Sequence, residues 1–150
     1  MAIEQNGFLN IDGGAIKGNA TVSGYEDQIV VQSVSYGVSQ AGEWEEGEQI
    51  TGRVTMFGDL NVTKVMDNGS PGLAHACAMK TQYNEVELTL VAGQDAYLSV
   101  KCEKVIVTSV QVGYTTGDTR PTENITLSYR KATWRYGTAT TSYNLEAATD

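Results

Sequence analysis

Only one stretch of this chain carries helical spacing, the segment from Asn61 to Lys80, NVTKVMDNGSPGLAHACAMK. Asp67-Asn68-Gly69 is a turn signal and Ser70 has the side chain of an N-cap. Pro71 suits the first helical position, where a missing N–H costs nothing. Leu73, Ala76, Cys77 and Lys80 follow at i, i+3, i+4 and i+7, so the apolar ones share a face. That stripe is narrow and its side chains are mostly small. A helix of this length is unstable alone and needs a sheet to clamp it. The rest of the chain must supply that sheet.

Period-two alternation does run on both sides of the helix. Phe8 to Ile11 reads as a short strand, and Ala20 and Val22 continue a second extended piece. Gln28 to Ser39 is the clearest strand, with Val30, Val34, Tyr36 and Val38 on a core face and Ser33 and Ser35 opposite. Arg53 to Phe57 precedes the helix. Beyond it come Glu85 to Val91, Ala96 to Cys102, Val105 to Val112, a strand marked by Ile125, Leu127 and Tyr129, and a last one from Trp134 to Tyr143. About eight or nine strands at near-regular spacing predict a mainly β fold, a small barrel or sandwich of two packed sheets with one short α-helix. The 150 residues suffice for one domain.

Gln40 to Gly52, QAGEWEEGEQITG, breaks the alternation and reads as a polar excursion. It sets Glu43, Glu45, Glu46 and Glu48 around a lone Trp44.

Several classes of chemistry are excluded. A net charge of −8 argues against nucleic-acid binding, which needs clustered Lys and Arg. No apolar run is long enough to span a membrane, and MAIEQNGFLN lacks the basic and apolar regions of a signal peptide. The chain is expected to start out in the cytoplasm. Its single histidine, His75, lies two residues from Cys77 and so on nearly the opposite side of a helix, which rules out a local thiolate–imidazole pair. Cys77 and Cys102 make no metal spacing and read as buried, reduced thiols. Glu45 and Glu46 flank an aromatic platform, but nothing separates their pKa values as a glycosidase pair requires. Four triplets match the glycosylation acceptor pattern, Asn19-Ala20-Thr21, Asn61-Val62-Thr63, Asn68-Gly69-Ser70 and Asn124-Ile125-Thr126; they read as coincidence in a chain rich in Thr and Asn. No catalytic constellation and no cofactor or metal site emerges. An exposed loop, strand edges and a polar strand face point to assembly.

The order of motifs resembles the haemolysin co-regulated proteins (Hcp), tube subunits of bacterial type VI secretion systems. Ile16-Lys17-Gly18-Asn19-Ala20, Ile29-Val30-Val31 and Ser33 to Gln40 are similar to that family's opening. Val62-Thr63-Lys64 with Met66-Asp67 and Ser70-Pro71-Gly72-Leu73 is similar to its helix entry. Val105 to Val110 and Pro121 to Tyr129 resemble its later strands. The resemblance implies hexameric rings stacked into a hollow tube, with no active site and no cofactor. Partners would be further copies of the chain, small secreted effector proteins in the lumen, and the sheath and spike of the apparatus. Export would then proceed without a signal peptide. Ser33 and Ser35 would line the channel, with Ser35 touching passengers. Glu43, Trp44, Glu45, Glu46 and Glu48 would mediate ring stacking, met by cations among Arg53, Lys64, Arg130, Lys131 and Arg135. Two other readings stay open at this point: the tube of another phage-like injection device, and a carbohydrate-binding sandwich using Trp44.

Overall fold

The computed structural model describes residues 6–44 and 50–145, with side chains described for 6–40 and 56–145. The elements in chain order are β1 (Gly7–Ile11), β2 (Ile29–Val30), β3 (Ser33–Trp44), β4 (Ile50–Val65), α1 (Ser70–Met79), β5 (Gln82–Ala92), β6 (Asp95–Gly113), β7 (Thr122–Tyr136) and β8 (Ala139–Asn144). All eight strands join one antiparallel sheet in the order β2-β1-β5-β6-β7-β4-β3, with β8 on the free side of the C-terminal half of β7. The sheet does not close into a barrel; it wraps one core in a sandwich-like form. At the open side the chain crosses over, Val31 N–H donating to Gly7 O on β1 and Gln32 N–H to Thr63 O on β4.

A common irregularity lets one sheet cover two sides of a core. On β5, Asn84 and Glu85 turn outward in succession between Tyr83 and Val86; on β6, Glu103 and Lys104 do so between Cys102 and Val105. Arg130 and Lys131 repeat this on β7, between Tyr129 and Ala132, and the three doubled outward pairs lie at one level of an unbroken register. Lys104 takes a left-handed φ of 56° there, which reorients the strand without ending its ladder. The core between the layers holds Leu9, Ile11, Ile29, Leu60, Leu73, Val86, Leu88, Val100, Ile125 and Leu127. A smaller cluster under the 12–28 loop stacks Tyr25 on Phe8 at 4.4 Å between ring centroids.

Several expectations need correcting. Residues Ala96 to Val112 form one long strand, because the ladder to β7 resumes past Lys104. Trp134 belongs to β7, and β8 begins only after a two-residue turn in which Gly137 takes φ 60°. The helix N-cap is Gly69 and not Ser70; Ser70 is its first residue, with its hydroxyl turned into the core side of the sheet. Leu73 and Ala76 are buried as expected, Cys77 is half-buried, and Lys80 is exposed as the left-handed C-cap. The excursion from Gln40 to Gly52 is largely strand: β3 runs through Trp44 and β4 starts at Ile50, with Glu43 opposite Thr51 and Trp44 opposite Ile50. Alternation reports a buried face, and this ribbon runs past the core: Val38, Ser39 and Met56 are all exposed. Val34 packs on the core as expected, but Tyr36 and Val38 on the same face reach beyond it.

Burial acts on one thiol in a way that can be measured. Cys102 is pushed up to about 12 from 9.0 by desolvation, so the native state keeps its proton where the unfolded chain loses it. The unfolded state binds fewer protons in that window, and stability must fall as pH rises from about 9 towards about 12. Urea titrations across this range should show a slope that Cys102→Ala flattens; an unchanged slope would assign the alkaline loss to other groups, such as Tyr129, whose pKa burial also raises.

Candidate functional site

The ladders place a row of uncharged polar residues across one layer of the sheet. Ser35 on β3 lies opposite Asn61 on β4, Asn61 opposite Thr126 on β7, and Thr126 opposite Ser109 on β6. The next row is Ser33, Thr63, Asn124 and Gln111. Directly opposed residues share a face, and the neighbours in between, Val34, Val62, Ile125 and Val110, turn to the core. Cross-strand hydrogen bonds join β4 to β7 within each row: Thr63 Oγ1 donates to Asn124 Oδ1 at 2.8 Å, and Thr126 Oγ1 to Asn61 Oδ1 at 3.2 Å. Thr108, at the β6 bulge, donates to Thr126 O at 3.1 Å. Ser33, Ser35, Asn61 and Gln111 are exposed.

The two charges beside these rows, Lys64 and Glu123, point the other way. Lys64 and Glu123, opposite each other on β4 and β7, are fully buried behind the polar face, and Lys64 Nζ meets Glu123 Oε1 at 2.5 Å. Lys64 also reaches Asp67 Oδ1 at 3.0 Å and donates to Ser70 Oγ at 3.1 Å; Ser70 Oγ donates in turn to Glu123. Asp67 and Gly69 close the turn before α1, with Gly69 N–H donating to Asp67 Oδ1 and Asp67 N–H to Ser70 Oγ. One cluster thus joins β4, β7 and the helix start. The other half of the sheet is charged on its outer face, where Lys101 meets Glu85 and Lys131 meets Glu103, each at 3.5 Å.

Of the expected site residues, Ser33 and Ser35 lie exposed on the neutral face. Glu43 and Trp44 are backbone members of β3 at the far end of the hairpin. Glu45, Glu46 and Glu48 lie outside the described residues. Lys64 is not available to meet acids on another ring, since it is buried and paired inside its own chain. Lys131 is paired with Glu103, and Arg135 donates to Gly137 O. The structure adds Asn61, Thr63, Ser109, Gln111, Asn124 and Thr126 to the serines. Their sequence signal was present in Asn61-Val62-Thr63 and Asn124-Ile125-Thr126, where polar residues flank an inward apolar one as alternation requires. Among the described residues no group of His, Cys, Asp or Glu converges as a metal site, and no helix is long and apolar enough to cross a membrane. His75 is exposed on α1.

Comparison with known proteins identifies the fold. The family model for the type VI secretion system effector Hcp matches residues 8–136. Protein hcp1 of Pseudomonas aeruginosa is 39% identical over 75 residues, 47% of this chain and 46% of that protein, so the match spans about half the length of this relative. A solved type six secretion system protein superposes with a TM-score of 0.86 at 25% identity, covering 97% of this chain and 99% of the other. The crystal structure of Hcp1 from Salmonella typhimurium shares the fold with a TM-score of 0.83 at 24% identity, over 96% and 97% of the two chains. With most of its length matched by the family model and the same fold throughout, this chain belongs to the Hcp family of type VI secretion systems.

Proposed function

We propose that the chain is a non-enzymatic ring subunit of a type VI secretion tube. Copies close head-to-tail into hexamers, the rings stack into a hollow tube, and the neutral sheet face lines the channel. The observation that carries this reading is the register-aligned polar face, Ser33 and Ser35 with Asn61, Thr63, Asn124 and Thr126, in a chain of the Hcp family. A face exposed in the monomer, free of large apolar side chains and pre-tied by cross-strand bonds suits contact with water and passing cargo better than a permanent interface. A heterologous interface that closes also removes sheet edges, a liability of any open sheet. The chain starts in the cytoplasm, carries small effector proteins in the lumen and is exported inside a sheath behind a spike.

Native mass spectrometry and negative-stain images should therefore show rings. Ser35→Cys labelled with a bulky maleimide should leave rings intact and abolish effector retention. Retention equal to that of the unlabelled ring would overturn the lumen assignment.

The long β3–β4 hairpin is proposed to contact the next ring, with Trp44 as its anchor and Glu43, Glu45, Glu46 and Glu48 facing cations there. Trp44→Ala should weaken stacking by about 2 kcal/mol per contact, the scale of an aromatic hot spot, and leave the ring whole. Tube length measured against salt should shrink as the acids are screened over about 10 Å at 0.1 M. Tubes of normal length from Trp44→Ala, or rings that dissociate, would sink the stacking role.

A further inference from the structure

The division of charge over the sheet specifies what the neutral face can hold. The chain carries a net charge of −8. Yet in the two rows that cross β3, β4, β7 and β6, every outward position is Ser, Thr, Asn or Gln. The two charged residues within this patch of strand, Lys64 and Glu123, are turned inward and neutralise each other. The paired charges Lys101–Glu85 and Lys131–Glu103 lie at and beyond the bend where β5, β6 and β7 each turn two residues outward, away from the two rows. Asp59, exposed at the β4 bulge beside Gly58, borders the face without entering either row.

We propose that this face holds passengers through hydrogen bonds to uncharged polar surface, and that ionised surface is selected against. The inference rests on the channel reading above and gives the chemistry of its partner. Ser33 and Ser35 are exposed, and their hydroxyls have no partner among the described residues, so they can both donate and accept. Side-chain amides at Asn61 and Gln111 add donors and acceptors; Asn61 Nδ2 spends one proton on Asp59 O at 3.2 Å and keeps the second for an acceptor beyond the sheet. A carboxylate or ammonium pressed against these rows would shed hydration and meet no counter-charge, which is a net loss. An amide or hydroxyl would exchange water bonds for equivalent protein ones at little cost. The matching partner is a small protein or segment whose docking surface is rich in Ser, Thr, Asn, Gln and Tyr. Long-range attraction of basic cargo by the acidic ring is screened at physiological salt and does not decide what is retained.

Three fluorescent peptides of equal length test this on assembled rings: one of Ser, Thr, Asn and Tyr, one with Lys interspersed, and one with Glu interspersed. Anisotropy should show the neutral peptide binding at least about tenfold more tightly than either charged one near 0.15 M salt. Its Kd should change by less than about twofold between roughly 0.05 and 0.5 M salt. Asn61→Asp should weaken the neutral peptide and improve the Lys peptide, converting salt-insensitive binding into salt-sensitive binding. A preference for the Lys peptide that fades with salt would overturn the inference and leave the channel reading standing. Binding of no peptide would overturn it too. In that case maleimide-labelled Ser35→Cys decides the channel reading separately, by whether it blocks effector retention.

Discussion

Replacing Lys64 with alanine should destabilise the chain by about 3–5 kcal/mol, the cost of removing one partner from a buried ion pair. Lys64 is fully buried, and its ammonium is the one positive charge facing Glu123 and Asp67 in the described cluster. Without it, Glu123 stays 1% exposed with only the Ser70 hydroxyl for compensation, and Asp67 loses its partner at the turn into α1. For a chain of this size the loss corresponds to a drop in Tm of roughly 10 °C. The double substitution Lys64→Met with Glu123→Leu should recover most of it, because a buried pair replaced by apolar groups of similar volume is close to neutral. Urea unfolding at two salt concentrations reads both effects. The pair is out of solvent, so its contribution should barely change with salt, unlike Lys101–Glu85 on the surface. A Lys64→Ala cost below about 1 kcal/mol would mean that the cluster is hydrated and behaves as a surface pair.

The second large effect is expected at Gly18. A Cβ there would lie 2.7 Å from Gln28 O and Ile29 Cα, and 2.9 Å from Asp67 Oδ2. Two of these atoms are backbone and cannot swing aside. Gly18 N–H donates to Asp27 O at 2.8 Å and Ala20 N–H to Gln28 O at 3.0 Å, so residues 18–20 are bound flat against the approach to β2. Moving them pushes Ile29, with no exposed surface, out of the core, or displaces Asp67 from Lys64. Gly18→Ala should therefore cost about 3 kcal/mol or more, at the upper end of overpacking penalties. Gly113→Ala is the matched control, because nothing lies within 4 Å of its Cβ position; its effect should stay within about 0.5 kcal/mol. If the deficits of Gly18→Ala and Lys64→Ala are less than additive, the clash acts through Asp67 and the ion cluster. Full additivity would place it in the β2 packing instead.

The local reading found the helix and most strands because each has a periodicity that burial enforces. Leu73 and Ala76 sit on the clamped face, and Leu88, Ile125 and Leu127 fall on inward positions of strands that alternate. It missed what burial does not write into the chain. Cross-strand hydrogen bonds hold the β3–β4 ribbon past the core, where hydropathy no longer alternates, and those bonds carry no residue signature. The outward pair Glu103 and Lys104 makes one strand read as two for the same reason: two outward residues in succession look like an end, and only the continuing ladder to β7 shows otherwise.

Alternation within single strands determined that Ser33 and Ser35 face away from Val34, and it held the same information for Asn61 and Thr63 around Val62. That is a local property, set by the pleat. Which polar positions become neighbours is decided by register between strands far apart in the chain, 61 residues apart for Thr63 and Asn124. The same holds for charge. Lys64 reads in sequence as a surface cation, because lysine is rarely buried unless it is paired. Only the tertiary structure could bring Glu123 opposite it and Ser70 beneath the pair, making burial tolerable and leaving the two polar rows across these strands without charge.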